Sequence, residues 1–137
     1  MIANQGSAQL DDVIVVGAGP AGNNTALELA IRGHSVTVID WRQNIGDKVC
    51  TGIIGQECSR RFPVDPAWIY RDASSAQLTA PSTEPVKFEA RTPQAKIINR
   101  VAYVASFAQR AQTAGANYLL GQRVVQVKRD ADGVSVT

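Results

Sequence analysis

Four β-branched residues, Val13-Ile14-Val15-Val16, stand together and stop at Gly17. An unbroken apolar run of this kind predicts a strand buried on both faces, as in a parallel sheet. From Pro20 to Arg32 the spacing of Leu27, Ala30 and Ile31 predicts a helix, closed by Gly33. Ser35 to Asp40 then predicts a second strand, so that strand, helix and strand form a βαβ unit with a right-handed crossover. Trp41 to Pro66 loses periodicity and reads as loop, apart from a short helix around Gln56 to Arg61. Between Ser75 and Ile98 the period becomes two. Val86, Phe88 and Ala90 alternate with Lys87, Glu89 and Arg91 until Thr92-Pro93 breaks the run, which predicts antiparallel strands with one wet face. Helical spacing returns after Asn99, a residue suited to an N-cap. Val101, Val104, Ala105, Ala108 and Ala111 form its apolar face and Gly115 closes it. Asn117 to Leu120 predicts another buried strand. Arg123 to Arg129 and Gly133 to Thr137 alternate about Asp132-Gly133, the signal of a β-hairpin.

The predicted class is therefore α/β: a parallel sheet of Rossmann type, antiparallel strands in the middle and a C-terminal hairpin. The chain of 137 residues is about one domain's worth, and 45% hydrophobic with 19% charged residues is enough to bury a core. Residues 1–10 are polar and expected to be disordered, and residues 11–137 to form one partial domain. The last alternating run has no partner strand after it, so the chain is expected to be a fragment of a larger protein. A net charge of +2 argues against nucleic-acid binding through a basic face. Cys50 and Cys58 match no zinc or redox spacing and suit a reducing, cytoplasmic compartment. No apolar run reaches the roughly 18 residues that span a bilayer. No metal-ligating cluster, Ser/His/Asp constellation or Walker-type loop is present in the sequence.

Chemistry is carried by Gly17-Ala18-Gly19-Pro20-Ala21-Gly22, a G-x-G-x-x-G directly after a predicted strand and opening a predicted helix. Gly17 permits the turn, Gly19 lets backbone approach a pyrophosphate, and Gly22 lets helix and strand pack closely. The pyrophosphate would meet unpaired N–H groups and the positive end of the helix dipole. Asp40 falls 18 residues after Gly22, at the end of the second strand. A carboxylate there accepts hydrogen bonds from ribose hydroxyls. Dinucleotide binding follows, and these residues alone leave NAD and FAD open.

The stretches DVIVVGAGPAG and ALELAIRGHSVTVID resemble the start of flavoproteins of the p-hydroxybenzoate hydroxylase type. IGDKVCTGIIG is similar to the cysteine-containing loop of the geranylgeranyl reductase family, as is the helix, strand and meander INRVAYVASFAQRAQTAGANYLLGQRVVQV. The resemblance runs from about Asp12 to the end and is weakest between Phe62 and Ala90. It implies that Gly17, Gly19, Ala21 and Gly22 hold the FAD diphosphate and that Asp40 holds the adenosine ribose. Cys50, Thr51 and Gly52 would lie beside the isoalloxazine, Cys50 being the candidate catalytic residue. Arg100 would reach the FAD phosphates, and Val124 would lie near the adenine. Asn23 and Asn24 depart from the small residues usual after the third glycine, and Asn99 from the usual aspartate. The family's second glycine-aspartate motif and its substrate domain are not in these residues.

For the whole enzyme the resemblance implies reduction of carbon–carbon double bonds in an isoprenoid (geranylgeranyl) chain. NAD(P)H or another donor would supply electrons, and peripheral membrane contact is compatible with that substrate. Three alternatives stand beside this reading: an FAD-dependent aromatic-ring monooxygenase, a stand-alone NAD-binding module and a non-catalytic fragment. Elsewhere, Cys58 reads as a small semi-buried residue, His34 as a turn residue and Arg60-Arg61 as a solvated face. Trp68, Tyr70 and Tyr103 read as packing residues, and Trp41 as either an adenine neighbour or a core or edge packing residue.

Overall fold

The structure is a computed structural model that describes residues 10–131 and 133–137. The expected disorder of residues 1–10 lies, up to residue 9, outside the described residues, as does Asp132 of the expected hairpin turn. The chain divides into two compact units. One takes the chain up to Ile45 and again from Ser106 onward, and the other is Gly46–Ala105.

The first unit is built on a parallel sheet of β1 (Val13–Val16), β2 (Val36–Asp40) and β8 (Asn117–Leu120), with β2 in the middle. Val15 lies opposite Val38, and Asp40 opposite Leu120. Burial follows position in the sheet rather than apolar content. Val36, Thr37, Val38 and Ile39 of the central strand are all buried, whereas Val16 and Leu119 of the flanking strands are more than half exposed. The expectations that β1 is buried on both faces and that Asn117–Leu120 is a buried strand are thus corrected, because among the described residues a strand with one neighbour is less completely covered than one with two.

Helix α1 (Pro20–Ala30) follows β1 and begins with the proline that best suits a first helical turn. At its end the His34 N–H reaches the Leu29 carbonyl and the Gly33 N–H the Ala30 carbonyl, a Schellman closure with Gly33 as the expected stop. Its buried line is Asn23, Ala26 and Ala30, so small residues let the helix sit close to the sheet. Ile31, expected on that face, is 60% exposed. The core of this unit joins Ala18, Ala26 and Ala30 with Val36, Val38, Ala111 and Ala116. It ends in a hairpin of β9 (Val127–Arg129) and β10 (Val134–Val136), antiparallel as expected.

The second unit holds β3 (Ile53–Gly55), α2 (Gln56–Arg61), β4 (Ile69–Ala73), β5 (Ser75–Leu78), β6 (Val86–Glu89) and β7 (Ala95–Ile98). Strand β7 pairs antiparallel with β3 on one side and β4 on the other. Two strands, β3 and β4, therefore lie in or just after a stretch expected to be mostly loop, and α2 is where it was expected. In the β5–β6 ribbon, Leu78 faces Val86 and Ala76 faces Phe88 across the ladder. The alternation is as read, but Leu78, Val86 and Phe88 are each more than half exposed, so both faces are wet.

Helix α3 (Arg100–Thr113) begins in the second unit and ends in the first. The Asn99 side chain accepts the Ala102 N–H at 3.1 Å, as an N-cap should. Its buried positions are Tyr103, Val104, Phe107, Ala108 and Ala111. Val101 is 55% exposed, so the expected stripe is rotated toward the two aromatic residues. Ala116 N–H to Ala111 C=O and Gly115 N–H to Gln112 C=O close the helix at Gly115 as expected.

Candidate functional site

In the first unit the site residues gather where β1 gives way to α1. The Gly17 N–H donates to the Ile39 carbonyl at 2.7 Å, which ties the turn to the end of β2. Gly17 has φ +109°, a conformation that suits glycine alone. At Gly22 the constraint is contact: a Cβ there would lie 1.9 Å from the Gly17 carbonyl oxygen. At Gly19 nothing lies within 4 Å of a built Cβ, so the backbone faces open space. The Gly19 N–H makes no hydrogen bond among the described residues. Open backbone at a helix N-terminus fits a phosphate group.

Asp40 does more than end its strand. Its Oδ2 accepts the Ala18 N–H at 2.8 Å and its Oδ1 accepts the Arg42 N–H at 2.8 Å. One carboxylate thereby fixes the glycine loop and the chain leaving β2, and each oxygen retains a lone pair for a further donor. Beyond Asp40, Trp41 is half exposed, with the Arg42 and Arg123 guanidinium carbons 4.3 and 4.8 Å from its ring centroid. Ala21 is exposed in the first turn of α1, and Val124 is half-buried in the irregular stretch before β9.

In the second unit Cys50, Thr51, Gly52 and Arg100 come together. They line a cavity of about 300 Å³ that also touches Lys48 and Tyr70. Gly52 is buried with φ +69°, and a Cβ there would lie 2.7 Å from the Ile98 carbonyl oxygen. The loop is therefore pressed onto β7, where the Ile98 N–H returns a bond to the Gly52 carbonyl at 3.0 Å. Cys50 itself is exposed. Its thiol is held below the usual thiol range, chiefly by the Gly52 backbone N–H and in smaller part by the positive charge of Arg100. Arg100 Nη1 donates to the carbonyls of Gly46 and Lys48, at 2.9 and 3.2 Å. A cation at a helix N-terminus is unfavourable. These carbonyls offset that cost within the chain itself, so the position of Arg100 does not require a phosphate.

Two residues of the glycine-loop neighbourhood escaped sequence reading as participants. Asn23 is fully buried and its Nδ2 donates to the Ala18 carbonyl at 3.1 Å. Tyr118 of β8 donates its hydroxyl to Asn23 Oδ1 at 3.0 Å, and burial pushes the Tyr118 phenol up to about 12. The signal available was the departure of Asn23 from a small residue. Among the described residues no group of three or more His, Cys, Asp and Glu is placed to hold a metal, and no helix is long and apolar enough to cross a membrane.

Residues 12–63 match the family described as FAD dependent oxidoreductase. The digeranylgeranylglycerophospholipid reductase 2 of Methanosphaera stadtmanae is 32% identical over 133 residues, which is 92% of this chain and 34% of that protein. The digeranylgeranylglycerophospholipid reductase of Methanocella arvoryzae is 34% identical over 130 residues, covering 91% of this chain and 31% of that one. The chain thus spans about a third of the length of these curated relatives. Among solved structures, a geranylgeranyl bacteriochlorophyll reductase-like protein from Thermoplasma acidophilum superposes with a TM-score of 0.75 at 24% identity, over 88% of this chain and 32% of that one. A point mutant of the halogenase PltM, solved in complex with FAD, gives 0.63 at 16% identity, over 94% of this chain and 31% of that one. The two structural likenesses speak for the fold. The matched family and the named relatives make this chain similar to about one third of an FAD-dependent oxidoreductase, with geranylgeranyl-type reductases among those relatives.

Proposed function

We propose that this chain binds FAD through its glycine loop and serves a flavoprotein that reduces carbon–carbon double bonds of a geranylgeranyl-type isoprenoid. The observation that carries the cofactor half is the loop itself. Asp40 holds it by the Ala18 N–H, Gly22 lets α1 approach it, and Gly19 leaves its face open. In this reading Gly17, Gly19, Ala21 and Gly22 receive the diphosphate, Asp40 accepts from the adenosine ribose, and Val124 borders the adenine. When bound, FAD supplies a two-electron carrier able to pass hydride to a carbon–carbon double bond.

The chain's own residues bind and orient. Cys50, Thr51 and Gly52 present a rigid loop to the flavin ring, with Gly52 fixing the backbone against β7. Cys50 offers a thiol with a lowered pKa at that position, and Arg100 adds positive charge beside it; the family resemblance is what further assigns Arg100 to the FAD phosphates. The substrate half rests on the names of the relatives, with NAD(P)H or another reductant as electron source. An isoprenoid substrate would be met at a membrane surface, which makes peripheral membrane contact part of the proposal.

Titration of the purified chain with FAD, followed by quenching of flavin fluorescence, tests the cofactor assignment. Saturable binding that is lost in Asp40→Ala supports it. Binding of NAD in place of FAD overturns it in favour of a nicotinamide module. Reduction of a geranylgeranyl lipid by a protein carrying both this segment and the remaining two thirds of its relatives' length tests the substrate.

A further inference from the structure

We propose that Asn23 is a positioning residue for the diphosphate loop, and that Tyr118 sets its orientation. The proposal rests on the reading that the glycine loop binds a dinucleotide and adds a residue that the glycine motif does not contain. Asn23 is 0% exposed in a core otherwise made of alanines and valines. A buried amide is costly unless its polar atoms are satisfied. Here Nδ2 donates to the Ala18 carbonyl at 3.1 Å, and Oδ1 accepts the Tyr118 hydroxyl at 3.0 Å. Tyr118 has a definite job in that chain. A phenol that donates must meet the amide oxygen, so the NH2 end is turned to Ala18. With the amide reversed, two carbonyl oxygens would face each other.

Both sides of Ala18 are then held, its N–H by Asp40 of β2 and its C=O by Asn23 of α1. The Ala18–Gly19 peptide is trans and planar, so its C=O and the Gly19 N–H point in opposite directions. Fixing the carbonyl inward toward the α1 core aims the Gly19 N–H the other way. That N–H has no protein partner among the described residues, and nothing lies within 4 Å of a Cβ built at Gly19. Asn23 thereby pre-aims a donor that a diphosphate oxygen would accept, and no reorientation of the peptide is needed on binding.

Calorimetric titration with ADP and, separately, with adenosine distinguishes this role from general support of the fold. Asn23→Leu keeps the number and branching of the side-chain heavy atoms and removes the amide's donor and acceptor. Its dissociation constant for ADP should rise about tenfold, the loss of roughly one well-aimed hydrogen bond, while that for adenosine stays unchanged. Tyr118→Phe retains the ring and removes only the orienting hydroxyl, and should weaken ADP about threefold with adenosine again unchanged. Should Asn23→Leu fail to fold, as read by far-ultraviolet circular dichroism, Tyr118→Phe decides alone. Equal weakening of both ligands, or no weakening of ADP, overturns the positioning role while leaving the dinucleotide site intact. A folded wild-type chain that binds neither ADP nor FAD overturns the proposed function itself, and this inference with it.

Discussion

Gly22→Ala and Gly19→Ala make the same chemical change three residues apart, and the structure assigns them opposite consequences. In a helix without tertiary constraint, replacing glycine by alanine stabilises by about 1 kcal/mol. At Gly22 the new methyl would sit 1.9 Å from the Gly17 carbonyl oxygen, 3.2 Å from its carbon and 3.3 Å from Val15 Cγ1. A carbon and an oxygen not bonded to each other need about 3.3 Å, so helix and strand would have to part by roughly 1.4 Å. The obstacle is backbone and cannot turn aside. Such overpacking costs about 1–3 kcal/mol. The displacement also stretches the Gly17–Ile39 and Ala18–Asp40 hydrogen bonds, each worth about 1 kcal/mol. We therefore expect Gly22→Ala to lose about 3–5 kcal/mol, a large share of the ~5–15 kcal/mol that holds a typical domain. Gly19 has φ −80° and ψ 179°, which alanine adopts freely, and open space around it. Gly19→Ala should stay within about 0.5 kcal/mol of wild type. Urea unfolding followed by far-ultraviolet circular dichroism measures both. An unchanged or higher midpoint for Gly22→Ala would refute the close-packing argument, and a large loss in Gly19→Ala would refute the open face.

Two further outcomes follow from the electrostatics. In a Cys58→Ser background, Cys50 should be alkylated by iodoacetamide at neutral pH faster than an ordinary unperturbed thiol, because the Gly52 N–H and then Arg100 favour its thiolate. A rate at or below that of the ordinary thiol would contradict this. Asp12 is held below the usual aspartate range by the Ser35 backbone N–H, then by the Ser35 hydroxyl, with a smaller contribution from His34. Its folded pKa lies under its unfolded pKa, so its contribution to stability is complete above about pH 4 and fades as pH falls through the lowered folded value. Unfolding midpoints measured from pH 6 down to pH 3 should decline less steeply in Asp12→Asn than in wild type; equal slopes would contradict the assignment.

The strands of the parallel sheet and both long helices were legible because their signals are local. Val13–Val16 and Val36–Asp40 are β-branched runs ended by glycine or acid, and Gly33 and Gly115 close helices through bonds that their immediate neighbours make. What sequence could not convey was how many neighbours each element would have. Val13–Val16 looks as apolar as Val36–Ile39, yet among the described residues only the latter has a partner strand on each side. The face of α3 turned for a related reason. The spacing of Val101 and Ala105 is as helical as that of Tyr103 and Phe107, and tertiary contact chose the larger aromatic surface. Strand β3 is only three residues long, too short for a period to register. The glycine loop and Asp40 were legible as a site because their spacing carries the mechanism. Asn23 was not, since in the sequence it is only a departure from a small residue until the Tyr118 hydroxyl, 95 positions on, is found beside it.

The central claim is that the Gly17–Gly22 loop is a dinucleotide site that takes FAD, and one measurement bears on it most directly. The purified chain is incubated with FAD, passed through gel filtration and examined by visible absorption. Retained flavin bands near about 370 and 450 nm in wild type, absent in a folded Gly19→Val variant whose side chain fills the open face of the loop, are the result we expect. A folded wild-type chain that emerges colourless, or a Gly19→Val variant as yellow as wild type, would contradict it.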